Sequence, residues 1–143
     1  MNSLLIDSDV VLDLFIKREP HHGVALRFFS CIKKVKQASF CSSIALANAY
    51  YILAKIKGAK YALDKMRKLR KLVSIALVDQ GVIDAALSSP YRDFEDSIQA
   101  QCAIRNDIRT LVTRNGRDYQ KDYLNIVNPH EYLIAVGLES EEG

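Results

Sequence analysis

Apolar and polar positions fall into short blocks of two periodicities. Ser3-Leu4-Leu5-Ile6 is an apolar run that closes on Asp7, the pattern of a buried parallel strand delivering a carboxylate at its carboxyl end. Ser8 or Asp9 can cap a short helix through Val10, Leu12, Leu14 and Phe15, and Pro20 marks the break before a longer helix over His21 to Lys36. Val24, Phe28, Cys31, Ile32 and Val35 recur there at three- and four-residue spacing, so one face is core. A brief strand over Ala38 to Cys41 precedes a helix capped by Ser42 or Ser43, running through Ile44, Ala47 and Tyr51 to Lys55 and ended by Gly58. The next helix, Ala59 to Val73, sets Ala62, Leu63, Met66, Leu69 and Val73 against a basic opposite side.

Ser74 to Asp79 reads as a second long-range strand, Val82 to Ser88 as a short helix and Pro90-Tyr91-Arg92 as a loop. Asp93 caps a helix from Phe94 to Asn106. Thr110 to Thr113 is a further strand running into the polar turn Arg114-Asn115-Gly116-Arg117-Asp118, and Asn125 to Val127 adds another before Pro129 opens a last helix through Leu133 and Val136. Strands alternating with helices predict an α/β fold with a mostly parallel sheet covered on both faces, its carboxyl ends gathered along one edge.

The 143 residues, 49% hydrophobic, suit a single core, expected over residues 1–137, followed by an acidic frayed tail over 138–143 that holds Glu139, Glu141 and Glu142. No apolar run approaches the roughly 18 residues of a membrane span and no signal-peptide layout opens the chain, so the expected location is the cytoplasm. Cys31, Cys41 and Cys102 are scattered and predicted to be small buried hydrophobes, neither a disulfide framework nor a zinc site. The formal charge of +3 understates the body of the protein, because Lys55, Lys57, Lys60, Lys65, Arg67, Lys68, Arg70 and Lys71 face only Asp64 in their segment. That field suits a polyanion, or a solvated surface that keeps the chain soluble.

Three places put carboxylates at the gathered edge: Asp7, the Asp93/Glu95/Asp96 group and Asp118. Like charges in one cleft repel unless a cation neutralises them, and ligands of oxygen alone suit Mg²⁺ or Mn²⁺ over zinc. Such ions activate water for attack on a phosphodiester. Each acid also has a structural alternative: Asp93 and Asp96 suit a helix N-terminus, Asp118 suits a turn, and Asp9 and Asp13 suit a cap and the surface. Ala100 and Ala103 share the face of Asp96 and would let that side of the helix lie against the sheet. His21, His22 and His130 lack partners at ligand spacing, and no nucleophile elbow or phosphate loop is present.

In these blocks the chain resembles the PIN domain family, particularly the ribonucleases that act as toxins in bacterial toxin–antitoxin pairs. Leu5-Ile6-Asp7-Ser8-Asp9-Val10 is similar to the family's opening strand and first acid, and Ser42 to Tyr51 to its second helix. Asp93-Phe94-Glu95-Asp96 is similar to the third block, with Asp96 as the acid, and Leu111 to Tyr119 to the fourth. The resemblance implies a three-layer α/β/α fold and a metal-dependent endoribonuclease. Asp7, Asp96 and Asp118 would hold Mg²⁺ or Mn²⁺, aided by Asp9, Glu95 and Asn48, with Lys60, Lys65, Arg67, Lys68 and Lys71 guiding RNA. It also implies an antitoxin partner and a homodimer. At the position matching the family's Glu stands Asn48, which offers an oxygen without charge or basicity. The fourth acid falls at Asp118 or is replaced by Asn115.

Two other readings follow. A PIN domain lacking that Glu could bind RNA or a protein without cutting. Asp7-Ser8-Asp9-Val10-Val11 also resembles the nucleophile motif of haloacid-dehalogenase-like phosphatases, but the later paired acids beside a Gly are not found.

Overall fold

The computed structural model describes residues 2–88, 93–119 and 123–139, the side chain of Asp118 excepted. The loop expected at Pro90-Tyr91-Arg92 and the last four residues of the tail lie outside this set. In chain order the elements are β1 (Ser3–Ile6), α1 (Ser8–Phe15), α2 (His21–Lys34), β2 (Ala38–Ser42), α3 (Ser43–Lys57), α4 (Ala59–Arg70) and β3 (Ser74–Ala76). They continue with α5 (Gln80–Ser88), α6 (Phe94–Arg105), β4 (Thr110–Val112), β5 (Asn125–Val127) and α7 (Pro129–Ala135).

The strands form one parallel sheet in the order β3-β2-β1-β4-β5. Leu4, Leu5 and Ile6 are fully buried because β1 is central and has helices over both faces. Alternation then assigns side chains to two cores: Leu4 and Ile6 pack with α1, α2, α3, α4 and α7, and Leu5 packs with α5 and α6. The result is a three-layer α/β/α sandwich. After β1 the chain builds outward to β2 and β3, then returns to add β4 and β5 on the other side. The order therefore reverses at β1, and the crevice between the carboxyl ends of β1 and β4 is the switch point where open α/β sheets bind ligands.

Several boundaries differ from the expectation for local reasons. The strand expected over Ser74 to Asp79 stops at Ala76, because Asp79 turns to accept the Val82 N–H at 3.0 Å and starts α5. The helix expected to reach Lys36 stops at Lys34, and Lys36 itself takes a left-handed φ of 56°. Gly58, at φ 94°, is at once the end of α3 and the start of α4, a conformation that a side chain would strain. Glu139, assigned to the tail, pairs with Arg27 and with His130 at 2.6 Å. All three cysteines are free and buried, as expected. Among the described residues no helix is long and apolar enough to cross a membrane.

Leu111 is fully buried in the β4 layer between Leu5 and α6. Leu111→Ala should remove about 2–5 kcal/mol of stability, read as a lower urea midpoint at an unchanged slope; a midpoint within error of the parent would contradict this packing.

Candidate active site

Asp7 is the residue at which β1 becomes α1. Its backbone N–H bonds Val112 O at 2.9 Å, extending the β1–β4 pairing, and its carboxylate Oδ1 accepts the Ser8 N–H at 2.8 Å as the N-cap of α1. The cap expected at Ser8 or Asp9 is thus Asp7 itself. Oδ1 also accepts from Gln99 Nε2 at 3.1 Å, whereas Oδ2 lies 3.1 Å from the Thr113 hydroxyl and 3.3 Å from that of Tyr119.

These two hydroxyls join Asp7 to other acids. Thr113 Oγ1 is 3.2 Å from Asp9 Oδ2, and Tyr119 OH is 3.1 Å from Asp96 Oδ1. Thr113 is placed at the end of β4 by its N–H bond to Val127 O, and Tyr119 follows the 3₁₀ turn Gly116–Asp118; both are buried. Asp9 Oδ2 also accepts the Arg114 N–H at 3.0 Å, but Asp9 Oδ1 is buried without a hydrogen-bond partner among the described residues. Asp9, expected either as a cap or as an aid to the metal set, does not cap α1 and belongs to the cluster. Asp13, one turn on, instead takes the Arg114 guanidinium through both oxygens.

The third acidic element arrives on α6. Asp93 is its N-cap, accepting from Glu95 N–H at 2.9 Å and Asp96 N–H at 3.4 Å, which frees the side chains of Glu95 and Asp96 from capping. Ala100 and Ala103 are fully buried, so the small face of α6 does lie against the sheet. Asn48 on α3 donates its amide to Glu95.

The electrostatics follow from this crowding. Burial raises the Asp9 carboxyl to about 6, with the neighbouring Asp7 charge adding to it, against lowering from the Arg114 N–H and charge and from Thr113. Burial, then Asp93 and Asp7, raises Glu95, partly offset by Asn48. Burial and the charges of Asp7 and Asp96 push the Tyr119 phenol far up, so it stays a neutral donor. Cys41 beneath Asp7 is pushed up to about 12 by burial, so its thiol is not a nucleophile.

The donor set consists of oxygens and is short of positive charge. Thr113 and Tyr119 each carry a single hydroxyl proton yet each faces two carboxylates. Neither Asp7 nor Asp9 is hydrogen-bonded to a cationic side chain among the described residues. Together with the orphaned Asp9 Oδ1, this chemistry fits a hard divalent cation. Among the described residues no three acids, histidines or cysteines are grouped so as to hold a metal ion by themselves; hydroxyls link the acids instead.

Of the residues singled out in the sequence, the fold brings together Asp7, Asp9, Asp96, Glu95 and Asn48. Asn115 is exposed and reaches the cluster through its backbone N–H, 3.2 Å from Thr113 Oγ1. Asp118 ends the 3₁₀ turn, and its side chain lies outside the described set. Lys68 and Lys71 line a separate groove with Leu14, Phe29 and Lys33. Lys65 packs over the Tyr61 ring, and Lys60 and Arg67 are exposed on α4. Sequence reasoning missed Gln99, Thr113 and Tyr119. Gln99 had a signal, since it lies three residues after Asp96 on the same helix face and is polar among alanines.

The Asp9 shift has a sign that can be tested on the metal-free protein. Its folded value lies above the ordinary carboxyl value of 3.8, so ionising it opposes folding; its contribution is most favourable below pH 3.8 and is lost as pH rises through about 6. Asp9→Asn should therefore raise stability at pH 7 by roughly 1–3 kcal/mol relative to its effect at pH 4. Urea midpoints at the two pH values check this, and an equal effect at both would overturn it.

Comparison with known proteins agrees with this geometry. The profile of the PIN domain family matches residues 3–117. VapBC2 from Rickettsia felis, bound to a promoter DNA fragment, superposes with a TM-score of 0.69 at 17% identity, covering 88% of this chain and 98% of that one. A toxin–antitoxin complex from Klebsiella pneumoniae gives a TM-score of 0.66 at 19% identity, with 88% and 97% coverage. Mycobacterium tuberculosis VapC20, a Sarcin-Ricin loop cleaving toxin, gives 0.61 at 15% identity, with 84% and 92% coverage. Comparison with curated protein sequences gives no match. With a switch-point carboxylate cluster, this strand order and a profile match over most of its length, the chain belongs to the PIN domain family.

Proposed function

We propose that the protein is a metal-dependent endoribonuclease that works as the toxin half of a toxin–antitoxin pair. The observation that carries the reading is the joining of Asp7, Asp9 and Asp96 through two shared hydroxyls at the switch point, beside an Asp9 Oδ1 that is buried without a hydrogen-bond partner among the described residues. Asp7, Asp9 and Asp96 would hold Mg²⁺ or Mn²⁺, with Asp118, Glu95, Asn48 and Asn115 as further oxygen donors. When bound, the ion supplies Lewis acidity toward the phosphodiester and a water acidic enough to attack it. Thr113 and Tyr119 keep the carboxylates turned toward one another, and Glu95, raised by its burial, is suited to hold a proton near the cut.

The partners follow from the same reading. The basic face of α4, with Lys60, Lys65, Arg67, Lys68 and Lys71, would attract RNA, whose substrate role places the work in the cytoplasm. The K. pneumoniae structure is a toxin–antitoxin complex, which supports an antitoxin for this chain, and a homodimer is proposed with it. One observation favours a second reading, a PIN domain that binds without cutting: the Asn48 amide is committed to Glu95 and brings no charge of its own.

Incubating purified protein with a mixed RNA pool in Mg²⁺, in Mn²⁺ and in EDTA distinguishes the two. Cutting should require metal and fall by at least about 100-fold in Asp7→Asn, whose Asn still caps α1. Retained cutting in that variant would sink the assignment, and tight RNA binding without cutting by the parent would support the second reading. Reversing Lys65, Lys68 and Lys71 to Glu should weaken RNA binding and flatten its dependence on salt concentration by a slope of about 3; an unchanged slope would return α4 to the role of a solvated face.

A further inference from the structure

Gln99 is 2% exposed, and a buried amide has to satisfy both of its ends. Its neighbour on the carbonyl side is Ser42, the last residue of β2 and the N-cap of α3, itself fully buried. Ser42 Oγ accepts the Ala45 N–H at 2.9 Å, which leaves its proton to be donated to Gln99 Oε1. With the carbonyl end so engaged, Gln99 Nε2 faces Asp7 Oδ1 at 3.1 Å. The reverse orientation would set a carbonyl oxygen against a carboxylate, which accepts only. The Ser8 N–H of α1 and the Gln99 amide of α6, from opposite faces of the sheet, meet on a single oxygen of Asp7.

We propose that Gln99 is a positioning residue for Asp7 and that Ser42 sets its orientation. The Ser42–Gln99 pair, together with the Ser8 N–H, fixes Oδ1, so that Oδ2 is the oxygen turned toward the Thr113 and Tyr119 hydroxyls shared with Asp9 and Asp96, and toward a bound cation. What Oδ2 then does rests on the nuclease reading; how it is held does not. Because Gln99 sits on the same helix as Asp96, the contact also ties the two acids' spacing to the seating of α6 on β2.

The test uses the full chain and Mn²⁺ as the probe. In Gln99→Met, which keeps the volume and removes both bonds, Mn²⁺ affinity measured by calorimetry and kcat should each fall about tenfold or more, with KM for RNA little changed. Ser42→Ala should shift both in the same direction by less. The double variant should be no worse than Gln99→Met alone, because both act through one contact. Unchanged Mn²⁺ affinity and kcat in Gln99→Met would overturn the proposal; should that variant not fold, an Asp7-independent effect of Ser42→Ala would do so. If the parent neither binds Mn²⁺ nor cuts, the nuclease reading fails, and the crystal structure of the variant then decides. A rotated Asp7 carboxylate supports positioning by Gln99, and one held in place without it overturns the proposal.

Discussion

A carboxylate placed at the end of a strand with no exposed side chain is costly, and the rest of the site is arranged around that cost. β1 is buried on both faces because it is the central strand of a parallel sheet, and Asp7 ends it. Its neighbours answer with neutral donors: a helix N–H, a side-chain amide and two hydroxyls. Each comes from a different part of the chain, so the sheet order and the seating of α6 are prerequisites of the site.

Neutral donors stabilise one carboxylate but cannot neutralise several. Asp9 and Asp96 are drawn in through the same hydroxyls, and the Asp9 carboxyl is raised by its burial first and by the neighbouring Asp7 charge second. The metal-free protein relieves this crowding by keeping a proton on Asp9 into mildly acidic solution. A divalent ion would do it without the proton, so the crowding that raises Asp9 would also favour a cation.

The strands and most helices were legible because burial on two faces leaves apolar runs and burial on one face leaves a 3.6-residue period. Asp7 could be read for the same reason: it interrupts an apolar run where a carboxylate has no local use. The fate of Asp9 was legible only through the family resemblance, since Ser8, Asp9 and Asp7 are all acceptable caps and only the arrival of Thr113 and Arg114 from a distant strand decides among them. Thr113 and Tyr119 were invisible for a related reason. A threonine ending a strand and a tyrosine after a turn are ordinary in sequence, and their hydroxyls gain meaning only from what they face. The strand expected to reach Asp79 was lost to a local competitor, a cap for the next helix.

Asp7 caps α1, and the proposed function gives it a second duty that depends on a different property of the same side chain. Closing the first turn of α1 needs an acceptor oxygen, which asparagine also provides, whereas attracting a cation needs charge. The architecture is thus nearly indifferent to whether its most important acid is ionic. A descendant of this chain could give up that charge in a single isosteric step and keep its shape and its surface, so that neutral copies of the fold are an accessible product of the way its first helix begins.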